Sequence, residues 1–208
     1  MDEFTSLFAL ERTDEIAKGL LGVELLYQTK DGLVGGYIVE VEAYLGKNDP
    51  DSTAYKGEKN RDNWLLYEAS STIYMYKMFG LVMLNVVTQG VGEPEEIAIR
   101  AIEPSRGLEI LNTNRPKTGP NQTNGPGKLS QALGIKTYKL NGKCFNQCAL
   151  QFEFEHRLNP KKILTLARRG SDESQSWERR GHRFAVAGNP FVSTISNGEV
   201  DQENRGWK

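Results

Sequence analysis

The chain has 208 residues, 38% hydrophobic and 25% charged, a length that carries one domain with a full core and a composition that excludes a disordered chain. No run approaches the ~18 apolar residues that a membrane span needs, and the acidic N-terminus with Asp2 and Glu3 is unlike a signal peptide, so a cytoplasmic location is expected. The formal net charge of −1 hides a division: residues 1–109 hold 10 Lys/Arg against 19 Asp/Glu, and residues 110–183 hold 14 against 5.

Thr13 followed by Asp14 and Glu15 is a helix start, with Ile16, Leu20 and Leu21 as its apolar face. Val23–Tyr27 reads as a strand, Lys30–Gly32 as a turn and Leu33–Tyr44 as a longer strand. Asn48–Asn63 has no periodicity and is long for a loop in a compact domain, which marks it as a candidate functional loop. Thr72–Phe79 and Val82–Thr88 are expected to form a hairpin with its turn at Gly80, followed by a strand over Ile97–Ile102. Pro104–Asn114 is expected to be helical, Lys117–Gly127 a loop, and Lys128–Leu133 a short helix. The last third alternates strands (Ala149–Phe154, Ile163–Ala167, Phe184–Val186 and Phe191–Ile195) with basic loops. The fold class is α+β, a single domain with a curved, mostly antiparallel sheet and packed helices. Between Glu109 and Glu153 there is no acid, a stretch suited to following a phosphate backbone. Cys144 and Cys148 make no disulfide framework, and His156 and His182 stand in no zinc spacing, so neither metal nor cofactor is expected.

Three constellations carry chemistry. In Tyr37–Tyr44 the side-chain period of two places Glu40, Glu42 and Tyr44 on one face and Val39, Val41 and Ala43 on the other, the pattern of an ordinary solvent-facing polar strand or of a carboxylate site. The two carboxylates point the same way and cannot flank a scissile bond as a glycosidase pair does, so one alone is expected to act on a substrate. Glu40 is expected to matter much less than Glu42. In Tyr74–Gly80 the residues Tyr74, Tyr76 and Met78 share a face, and Phe79 occupies the hairpin tip, where a large ring either folds back over tyrosines that belong to the core or inserts into a base stack. Arg100, inside an apolar strand, needs an anionic partner such as Glu42. Gly125-Pro126-Gly127-Lys128 is a glycine-rich helix start with a lysine, equally a phosphate cradle or a plain loop-to-helix junction.

Taken in order, Glu42-Ala43-Tyr44-Leu45-Gly46, Tyr74-Met75-Tyr76 ending in Phe79-Gly80, Asn85, Ile99–Pro104 and Gly125–Leu133 resemble the alkyladenine (3-methyladenine) DNA glycosylase family, the single-domain type distinct from the helix-hairpin-helix glycosylases. The similarity runs from about Glu11 to Ser193. It implies that Glu42 is the general base that activates water and that Arg100 helps to hold that water. It further implies that Tyr44 and Tyr76 sandwich the flipped base, that Asn85 guards its edge and that Phe79 fills the gap left in the stack. The segment at Arg169 would supply a backbone carbonyl to the site. Departures stand out. Where the family often has a histidine eleven residues after the glutamate, this chain has Thr53, with Tyr55 as a substitute stack. Phe79 stands where tyrosine is common, and Arg168–Ser171 replaces an apolar pattern.

The expected partner is therefore double-stranded DNA with alkylated bases, bound by a monomer, with hydrolysis of the N-glycosidic bond and no Schiff base. A non-catalytic nucleic-acid-binding module would have no use for an acid beside its aromatics. A glycosidase or nucleosidase for small molecules would need neither the Phe79 wedge nor the basic half.

Overall fold

The computed structural model describes residues 2–10, 12–168 and 181–208, and the sheet in it is organised by one long strand. β1 (Glu24–Thr29) and β2 (Gly32–Tyr44) form a hairpin in which Glu24 pairs with Tyr37 and Thr29 with Gly32. The hairpin uses only the first half of β2. Beyond it, Glu40–Glu42 pair with β8 (Arg183–Val186) on that same edge, and the opposite edge is lined by β5 (Glu96–Arg106). β3 (Ile73–Met78) and β4 (Leu81–Val87) extend the sheet past β5, β6 (Leu150–Glu153) caps β1, and β7 (Ile163–Leu166) pairs with β8. Each of these pairings is antiparallel. Irregular register at Ile38–Val41 is where a long strand bends, so the sheet curls and its inner face becomes concave.

The two faces differ as the period of two demands. Val39, Val41 and Ala43 of β2, Val82, Leu84 and Val86 of β4, and Ile97, Ile99 and Ala101 of β5 enter the main core. α2 (Thr13–Leu20) packs on β2 and β5, and α4 (Pro126–Ala132) on β4 and β5, adding Ile16, Leu20, Leu129 and Ala132 to that core. Burying one such large aliphatic side chain stabilises by roughly 1.5–3 kcal/mol, which makes this face the part that holds the fold. The opposite face carries Glu40, Glu42, Tyr44, Tyr74, Tyr76, Asn85 and Arg100. A smaller cluster of Ala54, Leu65, Leu66, Tyr67, Tyr74 and Val87 docks the irregular segment 45–72 onto it. Asn63 ties that segment together by donating to the carbonyls of Thr53 and Glu58, each at 2.8 Å.

Two expected elements are different. Pro104 does not open a helix: β5 runs on through Arg106, with Pro104 opposite Gly36 on β2, and α3 covers only Leu108–Asn114. The break is Gly107, in left-handed conformation at φ 62°, where a Cβ would sit 2.5 Å from the Leu33 carbonyl oxygen. Phe191–Ile195 is no strand. Asn189 turns the chain there, its side chain accepting from the Phe191 N–H at 3.0 Å, and Ser193 turns inward to Glu40. An N-terminal helix α1 (Glu3–Phe8), capped by the Asp2 carboxylate on the Thr5 N–H at 2.7 Å, was not read from the sequence. Among the described residues no helix is long and apolar enough to cross a membrane.

Candidate active site

Cross-strand register assembles the site. On the concave face Tyr74 lies opposite Asn85, Asn85 opposite Ala98, Ala98 opposite Glu42, and Glu42 opposite Arg183. One row therefore runs across five strands, from a tyrosine through the carboxylate to an arginine. The methyl of Ala98 in its middle leaves the floor low. Above it is a cavity of about 70 Å³ lined by Glu42, Tyr44, Tyr76, Met83, Ala98 and Arg100, among others.

Glu42 is buried, and its Oε2 accepts from Arg100 Nη1 at 2.7 Å and from the Tyr44 hydroxyl at 3.1 Å. Burial, and then the charge of Glu42, push the Tyr44 phenol above its ordinary range, so it stays protonated and remains a donor. Burial alone would lower the Arg100 guanidinium, but Glu42 and Glu40 outweigh it and raise it, so the cation is permanent. Arg168 covers one face of Tyr44, with its guanidinium carbon 4.5 Å from the ring centroid. Asp49 holds Arg168 in place through two contacts of 2.6 Å. The other wall, Tyr76, leans on Tyr74 with ring centroids 5.6 Å apart, and Tyr74 is fixed by donating to the Asp62 carbonyl at 3.2 Å.

Glu40 is not a bystander. It is fully buried and accepts from Arg100 Nε at 2.9 Å, from the Ser193 N–H at 2.6 Å and from the Ser193 hydroxyl at 2.8 Å, with Arg183 Nε at 3.3 Å. Arg100 thus bridges the two carboxylates, and Glu40 fixes the end of it that does not face Glu42. Period-two reading placed Glu40 on the right face but could not supply its partners, which come from β5, β8 and the segment after β8.

Phe79 and Gly80 are the two central residues of the β3–β4 turn, both with positive φ, at 51° and 78°. That is the turn hairpins favour with Asn-Gly. A phenylalanine there is strained, and its ring is 96% exposed, so packing does not explain its presence. Asn85 is fully buried. Its amide donates to the Tyr74 carbonyl at 3.1 Å, while among the described residues nothing donates to its Oδ1.

The remaining candidates are more scattered. Thr53 is exposed and lines a separate groove of about 520 Å³ with Tyr74, Tyr76, Lys77 and Tyr138, on the other side of Tyr76. Tyr55 is 39% exposed, has Lys56 over its ring at 5.3 Å and lines neither cavity. Gly127 is buried for packing, since a Cβ there would come within 2.4 Å of Leu81. Lys128 Nζ is occupied by Asn121 and Asn124, each at 2.7 Å. Of the basic stretch, Lys117, Lys136, Lys139 and Lys143 are exposed. Arg169 lies outside the described residues. His156 gathers with Glu153 and Glu155, their ligand atoms within 4.8 Å of one another, in an arrangement that exposed acidic groups often adopt without an ion.

Known proteins match this chain along most of its length. A model of the family described as methylpurine-DNA glycosylase matches residues 7–190. A protein of Lactiplantibacillus plantarum named "Putative 3-methyladenine DNA glycosylase" is 43% identical over 94% of this chain and 93% of its own. Proteins of the same name from Enterococcus faecalis and Latilactobacillus sakei are 40% and 39% identical, over 100% and 97% of this chain and 91% and 95% of theirs. With its match running through every strand of the site, the chain belongs to the methylpurine-DNA glycosylase family.

Proposed function

We propose that the protein, acting as a single monomeric domain in the cytoplasm, removes alkylated purines such as 3-methyladenine from double-stranded DNA by hydrolysing the N-glycosidic bond. One observation carries this reading: a buried carboxylate, Glu42, held by Arg100 and a tyrosine hydroxyl at a cavity walled by Tyr44 and Tyr76. Duplex stacking hides the bond, so the nucleotide must first swing out, at a cost of a few kcal/mol. Phe79 would occupy the vacated space, and exposed lysines of the basic stretch would hold phosphates. Tyr44, with Arg168 already on one face, has its other face for the base, and stacking against the tyrosines returns about 1–3 kcal/mol. Asn85 would stand at the base edge, and Thr53 at the approach. A water on Glu42 attacks the sugar carbon as the bond to the purine nitrogen breaks. Glu42 takes the proton of that water, and the purine leaves with the bonding pair, which neutralises its positive charge. Arg100 keeps Glu42 aimed, and the carboxylate faces the positive charge that develops on the sugar.

The test is incubation with methylated duplex DNA, with and without borohydride, followed by chromatography of released bases and a denaturing gel. Free 3-methyladenine and an intact strand bearing abasic sites, with no trapped adduct, are expected. Absence of any released base would leave only the binding-module reading, and a reductant-dependent covalent band would replace water with an amine.

Phe79→Ala separates insertion from packing. Its melting temperature should stay near that of the parent, since exposed substitutions typically fall within about 0.5 kcal/mol. Its single-turnover rate on a paired lesion should drop roughly 10-fold or more, because nothing then offsets the broken stack. The defect should shrink when the lesion sits in a mismatch. Equal rates for the two proteins on a fully paired lesion would remove Phe79 from this role.

A further inference from the structure

Beside the cavity, on β5, stands a carboxyl that the chemistry above does not use. Glu96, Ala98 and Arg100 follow one another on the concave face of β5, so Glu96 is the next side chain along from the alanine that floors the cavity. It lies opposite Tyr44 on β2 and opposite Val87 on β4. It is 3% exposed, and among the described residues nothing donates to its Oε2. Diagonally across from it on β4 is Asn85, whose Oδ1 likewise receives no hydrogen bond among the described residues. Two buried polar atoms without partners among the described residues, on adjacent strands opposite Tyr44 and Tyr74, are a costly arrangement for folding alone and a useful one for a ligand with polar edges.

We infer that Glu96 is a specificity-determining residue whose carboxyl hydrogen-bonds the edge of the flipped base and favours alkylated adenine over alkylated guanine. This rests on the reading of the Tyr44–Tyr76 cavity as the base pocket. Burial, and then the neighbouring Asp49, push the Glu96 carboxyl up to about 8, so at neutral pH it is mostly protonated. A neutral carboxyl offers one O–H donor and one carbonyl acceptor. Adenine presents an amino donor beside a ring-nitrogen acceptor, and the two sets match. A carboxylate only accepts. It leaves the adenine ring nitrogen facing a lone pair but matches the two adjacent N–H donors of guanine. The phenols and the guanidinium that face this site hold their protons across the relevant range. Tyr44 of β2 and Tyr74 and Tyr76 of β3 are raised above the ordinary phenol value by burial, Arg100 on β5 is raised by Glu42 and Glu40, and Asp49 is paired with Arg168.

Duplex DNA treated with dimethyl sulfate carries both 3-methyladenine and 7-methylguanine, so one substrate reports the ratio of their single-turnover release rates. For the parent protein the adenine-to-guanine ratio should fall about fivefold or more between pH 6.5 and 9, the discrimination of one hydrogen bond. Glu96→Gln, whose amide is a donor and an acceptor at every pH, should show only the pH dependence that the titration of the bases themselves imposes, and so a smaller fall than the parent. Glu96→Ala should have a reduced ratio at all pH values. Superimposable profiles for the parent and Glu96→Gln would overturn the inference, and so would an Ala variant that loses both activities alike, as a packing role predicts. Should the Ala variant not fold, the comparison of the parent with Glu96→Gln still decides. Failure of the parent to release either base, or full release by Glu42→Gln, would instead sink the Glu42 reading and is distinguishable from all of these.

Discussion

Glu42→Gln is expected to reduce single-turnover base release by at least ~10²–10⁴, the usual contribution of a positioned general base, while leaving binding to alkylated duplex nearly unchanged. The substitution is isosteric, and the amide oxygen can still accept from Arg100 and from the Tyr44 hydroxyl, which now bind Oε2 at 2.7 and 3.1 Å. What disappears is the ability to take a proton from water and the negative charge opposite the sugar, and only the reaction uses these. Stability should change little, because Arg100 keeps Glu40 as a buried counter-ion at 2.9 Å. Rates measured with enzyme in excess over a methylated duplex, together with a binding isotherm, check both halves. Retention of more than a tenth of the parent rate would take the general-base role away from Glu42.

The part of this site that lies within one strand was legible in the sequence, and the part made between strands was not. Period two in Tyr37–Tyr44 is enough to put Glu40, Glu42 and Tyr44 on one face, and a hairpin tip at Phe79-Gly80 is enough to expose the ring. Which residues Glu42 meets depends on how β2, β5 and β8 slide against one another, and register is fixed by core packing far away in sequence. Arg100 was found because a charge in an apolar strand demands a partner. Glu96 carries the same kind of signal, but it opens its strand after Glu93, Pro94 and Glu95 and so reads as one more acid of a polar turn. The helix expected from Pro104 failed because proline suits a helix start, while here it sits within β5 at a position where register with β2 is broken. Tyr55 shows the opposite failure. An aromatic near the right position in a long loop reads as a stacking group, yet the 3₁₀ turn at Tyr55–Gly57 aims it at solvent and Lys56.

Glu40→Ala should be more damaging to the fold than any change at Glu42, although the sequence alone makes Glu40 the dispensable member of the pair. Its carboxylate stands between Arg100 and Arg183, which are 12% and 6% exposed at their side chains, and it also accepts from the backbone and hydroxyl of Ser193. Removing one member of such a buried set leaves cations desolvated without their counter-charge, which typically costs 3–5 kcal/mol. For a chain of this size that is a fall of roughly 10 °C in melting temperature. Part of the activity should go too, for a separate reason. Arg100 would keep its contact with Glu42 through Nη1 but lose the anchor on Nε, so the guanidinium that aims the general base would itself be held from one side only. Glu40→Gln tells these effects apart. Its amide oxygen can still accept from Ser193 or Arg100, so it should recover about half of the lost stability, while the rate of the folded protein stays below that of the parent. Thermal melts and single-turnover rates on one preparation of each variant make the measurement. A Glu40→Ala protein that melts within 2–3 °C of the parent would mean that water reaches the two arginines and that the buried network is not what holds β2, β5 and β8 together.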